Sequence, residues 1–404
     1  MKFINIKTLL AVIILLSLTL SITSCSDATV TGTQSDSGAE VSDTESHEPD
    51  STSSTEPSTT PDTMRSPEPE TTAAPVTTPP ITEIDLTAEK DLSYELLCTT
   101  IKQNPMLEFL RADTLTLTAQ EYISLCKINS KVKLNLTAKV EYEKSVYDLT
   151  KDEIDISKKT ISDKDTFSAL LSCFPNGIKL VMCDCNYTNE EMGALRENNP
   201  HVTFAWRVYM GERWSLRTDD EAFSVMIRAW DYTRMKNEDI EVLKYCTELR
   251  ALDIGHQAVT DISVLSGLTE LRVLIIADNK ITDLTPLKNL KKLEYLEFFM
   301  NKVTDLTPLA ECTELIDLNF GWNYKIADLT PIYSLKKIER LWLPTTAVKE
   351  EQHEEIIAAF PNAKIIFKDV DSTSSGWREH PRYKPMRNMF KYNKYDENFA
   401  SYKE

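Results

Sequence analysis

The feature that most constrains this chain is a spacing of 22 residues at which apolar side chains recur. The first copy places them at Leu249, Leu252, Ile254, Val259, Ile262, Leu265 and Leu268. The second places them at Leu271, Leu274, Ile276, Ile281, Leu284, Leu287 and Leu290, and the third at Leu293, Leu296, Phe298, Val303, Leu306, Leu309 and Cys312. A fourth runs Leu315, Leu318, Phe320, then slips by one residue to Ile326, Leu329, Ile332 and Leu335; a fifth begins Ile338, Leu341, Leu343 and Val348. A unit this short cannot bury its apolar face alone, whereas copies in tandem bury a continuous core by covering one another.

Each place in the unit has a physical reading. Leu-x-Leu predicts a short strand with alternate residues buried. Asn279, Asn301 and Asn323 follow it, where an amide satisfies backbone groups as the chain turns inward. Gln257 and Thr346 take that place in the outer copies, where the ladder is expected to be weaker. Thr285-Pro286, Thr307-Pro308 and Thr330-Pro331 predict short helical turns with Thr at the N-cap and Pro at the first helical position, and Ser263-Val264 is an imperfect version. Asp261, Asp283, Asp305 and Asp328 precede these turns and read as turn and cap acceptors in preference to metal ligands. Cys312 stands at a core leucine place, as a small hydrophobe. The inserted Tyr324-Lys325 is expected to bulge from the edge.

This pattern resembles the leucine-rich repeat, in the 22-residue form of bacterial internalins, closely over 247–348 and more loosely on both flanks. The resemblance implies an α/β fold: a leucine-rich-repeat solenoid, or horseshoe, with a parallel concave sheet. Residues 84–246 read as irregular N-terminal repeats, 349–371 as a capping repeat and 372–404 as an aromatic and basic tail. Helices are expected after Ile161 through Leu170 and Leu171, over Asn189 to Glu197, and over 350–360, with strands at Ile154–Ile156, near Leu180 and at Ile365 to Phe367. Alternation over Val132 to Tyr147, and over Val202 to Leu216 around Met210-Gly211-Glu212, predicts two β-hairpin insertions.

The N-terminus reads as an export signal. Lys2 and Lys7 precede an apolar run from Leu9 to Leu20, too short for a membrane span. It ends Ile22-Thr23-Ser24-Cys25, which resembles the bacterial lipobox. The resemblance implies a signal peptide over 1–24, cleavage before Cys25, and lipid attachment at Cys25; a plain signal with a chance cysteine is the alternative. Residues 25–83 are dominated by Ser, Thr, Pro and acids, with a single base at Arg65, and lack the large apolar residues a core requires. They read as a disordered tether. Much of the formal net charge of −18 lies there, and it disfavours nucleic acid as a partner. Contact with a membrane is expected through the anchor alone. Beyond Cys25, seven cysteines without a Cys-x-x-Cys spacing do not outline a disulfide framework, and most read as buried thiols.

Catalytic signatures are missing. Nine glycines in 404 residues leave no Gly-x-Gly-x-x-Gly, Walker or Gly-x-Ser-x-Gly motif. His353-Glu354-Glu355 starts like a zinc-protease helix, but Ile357 replaces the second histidine. Cys183 and Cys185 flank one residue on a strand; Cys185 reads as a turn-column residue and Cys183 as facing outward. No metal and no cofactor is expected.

Binding is expected on the residues between the buried leucines, which the strand period turns outward. Across copies they read Ala251, Val273, Tyr295, Asp317, Arg340; then Asp253, Ile275, Glu297, Asn319, Trp342; then Gly255, Ala277, Phe299, Gly321, Pro344; and beyond these His256, Asp278, Met300, Trp322, Thr345. The candidate ligand surface is Ile275, Tyr295, Glu297, Phe299, Met300, Asn319, Trp322, Arg340 and Trp342, because contiguous aromatics and arginines mark interaction sites. The competing reading is that the tail, with Trp377-Arg378-Glu379-His380-Pro381-Arg382-Tyr383, or a hairpin covers this patch. The expected function is that of a non-enzymatic binding protein, exported and lipid-anchored on the outer face of a bacterial membrane at the cell surface, with a protein partner. A glycan or cell-wall ligand stacked on the aromatics is the alternative; a repeat-scaffolded enzyme and a mere envelope spacer are further ones.

Overall fold

The computed structural model describes residues 79–403, apart from Ser130 and residues 227–233. The expected signal peptide, Cys25 and the tether as far as residue 78 lie outside the described residues.

Three parallel strands begin the fold: β1 (Glu83–Asp85), β2 (Phe109–Thr118) and β3 (Asn135–Tyr142), with β4 (Ser145–Asp148) folding back antiparallel on β3. A second parallel sheet holds β5 (Glu153–Asp155), β6 (Lys179–Val181) and β7 (Thr203–Ala205). The hairpin of β8 (Arg207–Met210) and β9 (Trp214–Arg217) separates it from the main sheet. That sheet has seven strands in chain order: β10 (Ala222–Ser224), β11 (Ala251–Asp253), β12 (Val273–Ile275), β13 (Tyr295–Glu297), β14 (Asp317–Asn319), β15 (Arg340–Trp342) and β16 (Lys364–Ile366). All its pairings are parallel, and Leu252, Leu274, Leu296, Leu318 and Leu341 form one buried row. Phe223 and Ile365 extend that row into the flanking coils.

The Asn column makes the bonds that its place in the unit implies. Asn301 Oδ1 accepts from the Ile281 amide of the preceding coil at 2.9 Å, while Nδ2 donates to the carbonyls of Ile276 and Phe298, both at 3.0 Å. Asn279 and Asn323 repeat the arrangement. A buried amide thereby pairs backbone groups that the tight turn leaves orphaned. Gln257 accepts only from the Met235 amide and donates back to Gly255, and Thr346 only donates, to Leu343. In every regular coil the residue just before this column has left-handed φ: His256, Asp278, Met300, Trp322 and Thr345, between 47° and 59°. The turn that points the amide inward therefore turns these side chains onto the rim.

The threonines are not N-caps. Thr285, Thr307 and Thr330 are the first residues of their 3₁₀ turns, and the preceding aspartates are the acceptors. Asp283, Asp305 and Asp328 take the amides two residues on at 2.8, 2.8 and 2.9 Å. The upstream coils carry α-helices because their sequences supply longer amphipathic runs with true caps. These are α1 (Tyr94–Gln103), α2 (Ala119–Cys126), α3 (Lys164–Ser172) and α4 (Asn189–Asn198). Thr118 with Glu121, and Thr188 with Glu191, form capping boxes on α2 and α4. After the regular coils, a short helix over His353–Ala359 leads into β16, and a last helix, Tyr383–Tyr392, crosses the main sheet. Tyr324 stands out at the edge, 67% exposed, as the insertion implies.

Candidate functional site

The parallel register brings the predicted ligand residues together on one face, but the face is not open. Tyr295, Glu297, Asn319, Arg340 and Trp342 are buried, as are Ile275 and Phe299. Only Met300, 44% exposed, and Trp322, half-buried, remain at the rim. The expectation of an exposed aromatic stack is thus corrected: residues 372–403 lie across the sheet, and Trp377, Met386, Met389, Phe390, Tyr395 and Phe399 close a second hydrophobic core against it. The reason is area. Aromatic side chains bury roughly 150–250 Å² each, and several of them side by side leave an apolar surface that water does not tolerate bare.

Polar side chains of the sheet hold the tail by its backbone. Asn319 Nδ2 donates to the Ser372 carbonyl at 2.7 Å, Trp342 Nε1 to that of Ser374 at 3.2 Å, and Arg340 Nη1 to that of Trp377 at 3.0 Å. Carboxylates of the sheet then receive the tail's cations. Glu297 accepts from Trp377 Nε1 at 2.8 Å and from both Arg378 amines at 2.6 and 2.8 Å, and it also holds the Tyr295 hydroxyl. Asp317, fully buried, accepts from Arg340 Nε at 2.7 Å and from Arg382 Nη1 at 3.0 Å. Arg382, itself without exposure, also reaches Glu339. Farther along, Tyr395 donates to Glu294 at 2.8 Å, and Arg250 pairs with Glu397.

These surroundings set the charges. Burial works against ionising Arg378 and Arg340, but Glu297 and Asp317 outweigh it and raise both above the usual arginine value. Burial alone would raise Glu339; Arg382 and Lys403 override it and hold the carboxyl below the usual range. Asp253 is pushed up, chiefly by burial, although Ser224 and the Gly255 amide donate to it.

The tail leaves one part of the sheet uncovered. Between the first coils and the Tyr383–Tyr392 helix lies a cleft of about 290 Å³. Asp253, His256, Ile275 and Phe299 form its sheet wall, and Tyr383, Met386, Arg387 and Phe390 its tail wall, with Glu297 and Arg378 also reaching it. At its mouth His256 Nδ1 is 3.0 Å from Asp278 Oδ2.

A family profile described as Leucine Rich repeats (2 copies) matches residues 269–311, two of the coils whose register and ladder are given above. These coils are leucine-rich repeats. No curated protein matches the chain. Among solved structures, the chain is similar to internalin C2 from Listeria monocytogenes, at 19% identity over 57% of this chain and 88% of that one, with a TM-score of 0.32. It is similar to another Listeria monocytogenes internalin at 20% identity, over 69% and 67% of the two chains, and to a Leptospira interrogans leucine-rich-repeat protein at 20%, over 66% and 74%, both with TM-scores of 0.32.

Other residues singled out in the sequence lie around the repeats. Among the described residues, no three His, Cys, Asp or Glu side chains converge as a metal cluster. His353 stacks on Phe367 with ring centroids 3.7 Å apart. Cys185 donates to the Ile156 carbonyl at 3.3 Å, an Asn-like turn role, and Cys183 lies on the outward side of the sheet, as expected, but buried with Val181 and Ala205. Sequence reasoning missed Asp317 and Glu339 as docking groups for Arg382, Glu294 as the acceptor for Tyr395, and Arg378 as the partner of Glu297. A signal was present: acids on or just before the strands, and tail bases next to aromatics at Trp377-Arg378 and Arg382-Tyr383.

Proposed function

We propose that the chain is an exported, lipid-anchored surface protein whose leucine-rich-repeat domain binds a protein partner and carries out no reaction. Cys25 is the attachment point and residues 26–83 the spacer. The observation that supports protein as the ligand class is the docking of the tail. The concave face grips a turn-rich polypeptide segment, 372–377, through Asn319, Trp342 and Arg340, which address main-chain carbonyls. Main-chain recognition of this kind accepts peptide. The glycan reading has less support, because Trp377 and Phe399 already cover the Tyr295 ring, and Trp377 covers that of Trp342. The cleft beside the tail, with exposed Arg387 and His256 at its edge, is where a partner would enter.

A photo-crosslinking residue placed at Arg387 in the full chain, in intact cells, tests this. Capture of one protein there, lost with His256→Ala while the fold persists by circular dichroism, supports the reading. Binding only to glycans on an array, with no protein captured from the cleft, would sink it. A Cys25→Ser chain that stays in the membrane fraction would sink the anchor.

A further inference from the structure

Two of the cysteines are unlike the rest. Cys126 is the last residue of α2 and Cys173 caps the C-terminus of α3, so stacking of neighbouring coils brings the two helix ends together. Cys126 Sγ donates to the Cys173 carbonyl at 3.9 Å, which places the two thiols side by side. The Tyr122 hydroxyl donates to the carbonyls of Leu136, at 2.7 Å, and Cys173, at 3.2 Å, fixing that helix end. Both thiols are free, one half-buried and one buried. We propose that Cys126 and Cys173 close a disulfide that staples adjacent repeats, formed by exchange with an external disulfide once the chain is outside the cytoplasm.

The surroundings suit the exchange. The hydrogen bond from Cys126 is the main influence bringing the Cys173 thiol down to about 7; Ser172, Lys127 and Lys133 also favour its thiolate, while burial opposes it. Cys246 and Cys312 stand apart, pushed up by burial to about 12 and about 11. Because two neighbouring thiols influence each other's ionisation, the first proton loss belongs to the pair. The resulting thiolate attacks one sulfur of the external disulfide, forming a mixed disulfide and expelling one thiolate. The remaining thiol attacks the protein-side sulfur of that mixed disulfide. A second external thiol leaves with its proton, two protein thiols have been oxidised, and one external disulfide has been reduced to two thiols. The sulfurs must close to about 2 Å at two helix ends already joined by the Cys126 and Tyr122 bonds to the Cys173 carbonyl. Closing a loop of this size restrains the unfolded chain.

The test uses the purified full chain, reduced and then exposed to oxidised glutathione, so that it does not depend on the export reading. Peptide mapping after alkylation should show one cross-linked peptide joining Cys126 to Cys173, lighter by two hydrogens than the reduced pair. Its formation should accelerate through about pH 7, below the ~8.5 of a free cysteine. The thermal midpoint should rise by several degrees and fall back with dithiothreitol, and Cys126→Ser should abolish both changes. Separate alkylation of both thiols after oxidation, or a stable glutathione adduct that never closes, would overturn the proposal. The wild-type map decides the matter even if the Ser variant fails to fold.

Discussion

The concave faces of β5–β7 and β10–β16 share one backbone design and finish in different ways. On the first, the buried outward residues are small: Val181, Cys183 and Ala205. Charged side chains lie alongside them. Asp219 sits between Arg217, at 2.7 Å, and Lys179, at 2.8 Å, and Lys179 also reaches Glu153 at 3.1 Å. On the second, Ile275, Tyr295, Phe299 and Trp342 stand in the same kind of column, and a second layer of chain lies over them. The strands themselves are interchangeable. What the residues between the leucines present decides whether a coil stack ends in a solvated surface or needs a covering segment.

The largest effect that can break this comparison is expected from Trp377→Ala. Trp377 packs on Tyr295 and Trp342 with ring centroids 5.5 and 5.0 Å away and donates to Glu297. Removing a fully buried tryptophan typically lowers stability by about 3–5 kcal/mol, read by urea denaturation. A midpoint that barely moves would make the tail an appendage, and the contrast between the two faces would collapse. Next comes Arg382→Ala. It takes one partner from a fully buried carboxylate, and about 3 kcal/mol is expected, the low end for breaking a buried pair because Arg340 remains. Replacing Asp317, Arg340 and Arg382 together by apolar residues of similar volume should be far milder than the single change.

Asn301→Ala sharpens the comparison from the other side of the sheet. It orphans the Ile281 amide and two carbonyls in a buried turn, and a loss of about 1–3 kcal/mol is expected by the same denaturation measurement. This effect was legible in the sequence, whereas the Trp377 effect was not. Asn279, Asn301 and Asn323 recur with the period, so one copy explains the others, and each acts on backbone of its own or the next coil. The tail has no period. Trp377 meets Glu297 across 80 positions and Arg382 meets Asp317 across 65, and nothing local marks such pairs. The outward columns were read correctly, register included, but a column says which residues share a face and not what lies on it. The same limit hid the join of β10 to the main sheet, since Phe223 sits in a coil of another length, whereas β16 falls in the expected capping repeat.

Acid should loosen the tail before the coils. Glu339 is held below the usual carboxylate range by Arg382 and Lys403, against burial. Its folded value therefore lies under its unfolded one, ~4.3. The stability it contributes is complete above that range and is lost as pH falls through the lowered value. Glu339 keeps about a third of its side chain in water, so the effect is expected to be small next to the two substitutions in the tail contacts. Hydrogen exchange over 372–403 should speed up below about pH 4 while exchange at the Asn301 turn stays slow; simultaneous loss would mean that tail and coils open as one unit.

The smallest effect belongs to the other face. Arg217 makes two bonds to Asp219, at 2.8 and 2.7 Å, as geometrically good as those that Arg378 makes to Glu297. Yet Arg217 keeps a third of its side chain in water and Glu297 keeps none. Water replaces most of what an exposed pair loses, so Arg217→Ala should lower stability by about 0–1 kcal/mol, and Lys179 still neutralises Asp219. A loss of more than about 2 kcal/mol, beyond the range for exposed pairs, would mean that this ion-paired layer seals Val181, Cys183 and Ala205 as firmly as the tail seals Tyr295 and Trp342. The two faces would then differ in chemistry alone and not in how strongly each depends on its cover.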